Sequence, residues 1–295
     1  VRRIVIVASL LLAIGALAVI FVGYALAHPV PAHVGAPPPA LHATSIVIDG
    51  RIHGWFSRSP AHRGVVLLLP GVRANRLSMV DRALFLRDAG YSVLLIDLQA
   101  TGESPGNVIT FGWRERLDVL AAVDFLRREL PGEKVGVIGS SLGGAAALLA
   151  TPPLRVDALV VESVYPSIDR AAANRLHRYL GAPGIAVEPL LLAQLQPRIG
   201  VGAEVLRPID HVGKVTCPLL VISGAKDRYT TVDDTRALFA AAREPKQLWL
   251  VDGAGHVDLC RFGGESYRRR VLELMASAIA GAADVPAEPP RRTPS

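Results

Sequence analysis

The stretch Lys134-Val135-Gly136-Val137-Ile138-Gly139-Ser140-Ser141-Leu142-Gly143-Gly144-Ala145-Ala146-Ala147 decides the fold. Residues 134–138 read as a short buried strand, and 145–150 as a helix that starts at once. Between them stands a G-x-S-x-G pentapeptide. So sharp a strand-to-helix turn strains its central residue, and glycines at 139 and 143 leave room for it. Ser141 then projects from the sheet edge at a helix N-terminus, where free N–H groups and the helix dipole favour a developing negative charge. Ser140 is the competing serine, but it occupies a variable position of the pattern.

Outward from this turn, Val-, Ile- and Leu-rich runs recur at 64–69, 91–96, 157–161, 218–223 and 247–251, after an opening hairpin at 45–49 and 52–56 around Gly50. Helical patterns fall near 76–89, 112–130, 142–150, 231–242 and 265–281. In the last, Val271, Leu274, Met275, Ala278 and Ile279 form one apolar stripe. The alternation predicts an α/β fold, a mostly parallel eight-stranded sheet covered by helices on both faces. Residues 165–216 break it and predict a helical cap insertion, because long insertions in compact domains commonly cover a site.

A serine hydroxyl is a weak nucleophile and needs a base, which in turn needs an orienting group. Of the eight histidines, His28, His33 and His42 precede the hairpin, His53 and His62 lie in or beside it, and His177 and His211 fall in the cap. Only His256, in Asp252-Gly253-Ala254-Gly255-His256, follows a late strand in a glycine-rich loop. Asp227, in Gly224-Ala225-Lys226-Asp227, also follows a strand, at the edge where catalytic groups gather in α/β sheets. Glu162 is the alternative acid, while Asp252 and Asp258 read as loop caps.

Ser141, Asp227 and His256, in that order, resemble the alpha/beta-hydrolase superfamily over about residues 45–283. The likeness is strongest to its single-pass, membrane-anchored serine hydrolases of abhydrolase-domain type. The loop Asp97-Leu98-Gln99-Ala100-Thr101-Gly102-Glu103-Ser104 resembles that family's D-x-R-G-x-G-x-S turn, with Gln99 and Ala100 departing from it, and reads as structural. The resemblance implies acyl transfer through an acyl-enzyme on Ser141, with His256 as general base and acid and Asp227 orienting it. It implies an oxyanion hole from the backbone N–H groups of Val72 and Leu142, and neither a metal nor an organic cofactor. Pro70-Gly71 stands where many relatives have His-Gly, which alters the lining but not the backbone donors. The neighbouring Arg73 reads either as solvated or as facing an acidic substrate group. Carboxylic esters or thioesters are the expected substrates. The same triad would serve an amidase or peptidase, and a catalytically silent, membrane-tethered binding module is the alternative from another class.

Residues 4–27 carry no charge, and as a helix would be roughly 36 Å long, enough to cross a bilayer core of about 30 Å. Arg2 and Arg3 stand before this run and no acidic residue occurs before Asp49, which predicts an anchor with the domain on the extracytoplasmic side. The alternative is a signal peptide cleaved after Ala25-Leu26-Ala27, giving a secreted or periplasmic protein. Residues 28–44 hold five prolines and predict an extended spacer, and 284–295 predict a frayed tail. A bilayer-surface position suits a lipid-derived acyl substrate.

The formal charge of +6 does not argue for a nucleic-acid partner. Arg2, Arg3, Arg291 and Arg292 lie in the end segments, and the run Arg268-Arg269-Arg270 is short and reads as a solvated helix face. Two cysteines, Cys217 and Cys260, make neither a disulfide framework nor a zinc site. They read as small buried hydrophobes, with a single bridge between them left open.

Overall fold

The computed structural model describes residues 2–280, so the expected tail at 284–295 lies outside the described residues. The described residues form ten strands: β1 (Val30–Pro31), β2 (Thr44–Ile48), β3 (Ile52–Ser57), β4 (Val65–Leu69), β5 (Ser92–Ile96), β6 (Thr101–Gly102), β7 (Val135–Ser140), β8 (Ala158–Glu162), β9 (Leu219–Gly224) and β10 (Lys246–Val251). Eight of them form one sheet in the order β10-β9-β8-β7-β4-β5-β3-β2. Pairing is antiparallel only where β3 meets β2 and β5; from β5 across to β10 every pair is parallel.

The side-chain alternation of each strand feeds two cores. In β4, Val65, Leu67 and Leu69 enter one core while Val66 and Leu68 enter the other, and β5, β8 and β9 divide in the same way. The first face is covered by α3 (Glu115–Glu129), α4 (Leu142–Leu148) and α9 (Val232–Ala241), and the opposite face by α2 (Val80–Asp88) and α10 (Leu259–Met275). Burying each such aliphatic side chain contributes about 1.5–3 kcal/mol. This is why the strands read as unbroken apolar runs. Helix α10 starts earlier than the stripe suggests, capped by Asp258, and bends at Gly264, whose φ of 51° lies in the left-handed region. Val271, Leu274, Met275 and Ile279 of that stripe are buried; residue 281, the expected end of the helix, lies outside the described ones.

Between β8 and β9 run α5 (Ile168–Leu180), α6 (Gly184–Leu192), α7 (Leu195–Ile199) and α8 (Ile209–Val212), with no strand among the described residues there. The proline-rich segment 28–44 is extended, but it is docked on the body rather than standing off it. Its backbone meets the loop after β5: Val30 N–H donates to Ala100 O (2.8 Å) and Ala32 N–H to Gly102 O (2.8 Å), which pairs β1 with β6. Leu41 is fully buried. An extended chain offers unpaired backbone groups, and here they are satisfied by another unpaired loop.

Helix α1 (Arg2–Ala27) has 26 residues. The described side chains from Arg2 to Ala18 are exposed on every side, whereas Gly23 and Ala27 are buried against the body. Positions 8, 11 and 12 lie outside the described side chains. Among the described residues no helix is long and apolar enough to cross a membrane, so the transmembrane helix expected over 4–27 is not found there. Cys217 and Cys260 are both free.

Candidate active site

Ser141 links β7 to α4 with φ 46° and ψ −106°, the strained elbow that the pentapeptide predicts. The glycines act by absence. A Cβ on Gly139 would lie 2.5 Å from Gly144 N, and one on Gly143 would lie 2.6 Å from both Cβ and O of Leu69. Strand and helix therefore pass closer than side chains allow. Ser141 N–H donates to Glu162 O (2.7 Å), which fastens the elbow to β8. Leu142 opens α4, so its N–H has no intrahelical carbonyl to bond.

Asp227 sits in the turn after β9, and the loop after β10 carries His256; both lie at the sheet edge where β7 delivers Ser141. Nδ1 of His256 is 2.7 Å from Oδ2 of Asp227. Oδ1 of the same carboxylate accepts from the backbone N–H groups of Tyr229 (2.8 Å) and Thr230 (3.0 Å). An ionised carboxylate only accepts, so the imidazole proton belongs on Nδ1 and the Nε2 lone pair is left available. The two loops are pressed together: a Cβ on Gly224 would lie 2.5 Å from Ala254 O. Lys226 N–H donates to Ala254 O at 2.7 Å, and Thr230 Oγ1 ties the turn to Ser163 O at 3.1 Å.

Glu162, the alternative acid, is committed elsewhere. Its buried carboxylate accepts from Arg82 Nε (3.0 Å) and Nη2 (2.6 Å) and from the Tyr267 hydroxyl. Burial disfavours the charge on Arg82, but Glu162, Tyr267 and Asp258 together outweigh it and raise the guanidinium pKa well above its ordinary value. Asp258 caps α10, accepting from Cys260 N–H at 2.9 Å, as a loop-capping residue should. The loop 97–104 is likewise structural. Asp97 accepts from the backbone N–H groups of Arg76 and Glu103, and Gln99 donates to Val108 O and Glu115, both at 2.7 Å.

A cavity of about 340 Å³ opens over Ser141. Val72 and Leu142 line it beside the serine, and its walls come from the cap, through residues such as Ile168, Leu176 and Leu191. Helix α1 closes it through Val22, Gly23, Leu26 and Ala27. Arg73, for which the sequence left two readings, donates from Nη1 to Ala25 O at 2.9 Å and so serves the end of α1. Three neighbours were not legible in the sequence. Tyr229 meets the His256 ring edge-on with centroids 5.5 Å apart, Arg175 lies over Tyr229 at 5.1 Å, and the Tyr165 hydroxyl donates to Phe111 O at 2.6 Å. Tyr229 alone had a signal, its place two residues after Asp227.

These features have counterparts in known proteins. An uncharacterised protein of Mycobacterium tuberculosis strain H37Rv, Rv2307c, is 29% identical over 240 residues, 79% of this chain and 78% of its own length. The solved structure of the Pyrococcus furiosus esterase Pf2001 has the same fold (TM-score 0.69, 23% identity, 86% of this chain and 99% of that one). So does a membrane phospholipase A described as a bacterial virulence factor (TM-score 0.59, 15% identity, 94% and 99%). The sequence pattern of the alpha/beta hydrolase family matches residues 52–273, from β3 into α10, and takes in the elbow, the acid turn and the histidine loop. By sheet order, by elbow and by this match, the chain belongs to the alpha/beta hydrolase family.

Proposed function

We propose that this protein is a serine hydrolase of carboxylic esters or thioesters, held to a membrane by α1 with its body on the extracytoplasmic side. The observation that carries the reading is the 2.7 Å pairing of His256 with Asp227 at the sheet edge where Ser141 stands in its positive-φ elbow. Ser141 Oγ attacks the acyl carbon and its proton passes to Nε2 of His256, while Asp227 stays ionised and stabilises the imidazolium. The oxyanion accepts from the N–H groups of Val72 and Leu142; one such donor is typically worth about 2.7–4 kcal/mol. Collapse breaks the bond to the leaving alcohol or thiol, which takes the proton from His256. Water, deprotonated by His256, then attacks the acyl-enzyme and releases the acid and Ser141.

The membrane assignment draws on α1. A helix with apolar side chains exposed all round is suited to lipid rather than water, and Ile4, Leu10, Ile14, Leu17 and Phe21 are exposed on this one. Arg2 and Arg3 beside the apolar run favour the cytoplasmic side for that end. The fold shared with a membrane phospholipase A supports the same reading.

Labelling with a small fluorophosphonate tests the chemistry. The wild type is expected to label stoichiometrically, and Ser141→Ala and His256→Ala to lose the label. A folded wild type that neither labels nor hydrolyses short esters would replace the hydrolase with a silent binding fold. Carbonate extraction of membranes tests the anchor, which fails if the full chain is released.

A further inference from the structure

The wall that α1 contributes to the cavity is fastened by specific polar contacts. Gln194 Nε2 donates to Val19 O (3.1 Å), Arg198 Nη2 to Ile20 O (3.0 Å) and Arg73 Nη1 to Ala25 O (2.9 Å), and Ile109 N–H donates to Ala27 O (2.8 Å). At the crossing point stands Gly23, where any Cβ would collide with the Gln194 side-chain amide. A helix serving only as a leash has no need of such a clasp. Of the three arginines that line the cavity, Arg73 and Arg198 spend hydrogen bonds on carbonyls of α1 and Arg175 lies over the Tyr229 ring, so the wall that α1 supplies is hydrocarbon from Val22 and Leu26.

The position of this wall follows from helix geometry. At 1.5 Å per residue, a hydrocarbon core of about 30 Å takes up roughly twenty residues. If it begins after Arg3, it ends near Gly23, midway along the clasp that runs from Val19 to Ala27. The cavity wall then lies at the bilayer surface. Tyr179, which lines the cavity, and Leu190 on the neighbouring α6 are exposed there, an aromatic and an aliphatic of the kind that suit an interface.

We propose that α1 is a specificity-determining wall of the active site, and that the cavity receives one long, unbranched acyl chain from a lipid at the bilayer surface. This rests on the serine-hydrolase reading above. The chain lies between α1 and the cap helices with its carbonyl at Ser141, and the polar remainder of the lipid stays at the interface.

The test compares kcat/KM for p-nitrophenyl dodecanoate and p-nitrophenyl acetate, using the full chain in detergent micelles. Leu26→Trp fills the wall and Arg198→Ala loosens it; each is expected to lower the dodecanoate-to-acetate ratio about tenfold or more. Phe21→Ala, on an exposed side chain away from the cavity, is expected to leave the ratio as in the wild type. A ratio held within about twofold in the folded variants overturns the proposal. A measurement on the wild type decides independently of folding: a dodecyl fluorophosphonate with a terminal diazirine, photolysed after labelling, should crosslink within residues 22–27. Crosslinks confined to other segments also overturn it. Labelling by a short fluorophosphonate without dodecanoate turnover would leave the hydrolase standing and remove this inference, whereas absence of any labelling would remove the hydrolase itself.

Discussion

Asp227 divides its carboxylate between two tasks: Oδ2 faces His256 Nδ1 at 2.7 Å, and Oδ1 is held by the N–H groups of Tyr229 and Thr230. The backbone donors hold the acid through an oxygen that the histidine does not use. Asp227→Asn keeps the shape of the side chain but can offer an N–H to Nδ1, which moves the ring proton to Nε2. Ester turnover is then expected to fall by about 10³–10⁴ with the melting curve little changed. Steady-state assays beside thermal unfolding check both halves.

Gly143→Ala tests the elbow as packing. Its methyl would lie 2.6 Å from Leu69 Cβ and 2.7 Å from Pro70 O, and no flexible side-chain end is there to yield. A loss of about 1–3 kcal/mol in denaturant unfolding is expected. Turnover should fall too, because the displaced α4 carries the Leu142 N–H.

Glu162→Gln separates the two acids. Breaking a buried ion pair costs about 3–5 kcal/mol, and Arg82 and Glu162 are both fully buried. Unfolding should therefore come at markedly lower denaturant, while kcat per folded molecule stays near that of the wild type. A collapse of kcat with intact stability would return Glu162 to the triad.

Acid should loosen the proline-rich strap. The hydrogen bond from Arg76 holds the Glu103 carboxyl at about 2, against an ordinary value of 4.5, although burial works in the other direction. Glu103 Oε1 also accepts from the N–H groups of Val34 (3.1 Å) and Gly35 (3.2 Å). With its pKa depressed on folding, Glu103 stabilises the fold fully above pH 4.5, and that contribution is lost as pH falls toward about 2. Unfolding measured across this window should show a slope that Glu103→Gln removes.

Neither thiol should react in the native protein. Burial pushes Cys217 up to about 11 and Cys260 up to about 12, so little thiolate exists at pH 8. A disulfide reagent should titrate both only after unfolding.

The strands and the elbow were legible because each carries a local signature, an apolar run or a glycine whose side chain would collide. The placement of Asp227 and His256 in turns after β9 and β10 was legible in the same way. The docking of 28–44 was not, because Val30 and Ala32 bind through backbone N–H groups that any residue possesses. The cap carries helices as expected, but its seating on α1 rests on Gln194 and Arg198, two polar residues indistinguishable in the sequence from solvated ones. Contacts made by backbone carbonyls leave no mark on the residue types that make them.

The clasp on α1 would give cleavage after Ala27, the alternative reading of the sequence, a chemical consequence. The peptide bond after Ala27 follows a small-x-small triplet, and Ala27 O is the acceptor for Ile109 N–H at the rim of the cavity. On the anchoring and acyl-wall proposals above, cutting there would free the body from the bilayer and in the same act strip out Val22, Gly23, Leu26 and Ala27. The released form would carry the same triad beneath an open trough, its taste for long chains traded for indifference. Retention or removal of one helix would thus set both the address of this protein and its diet.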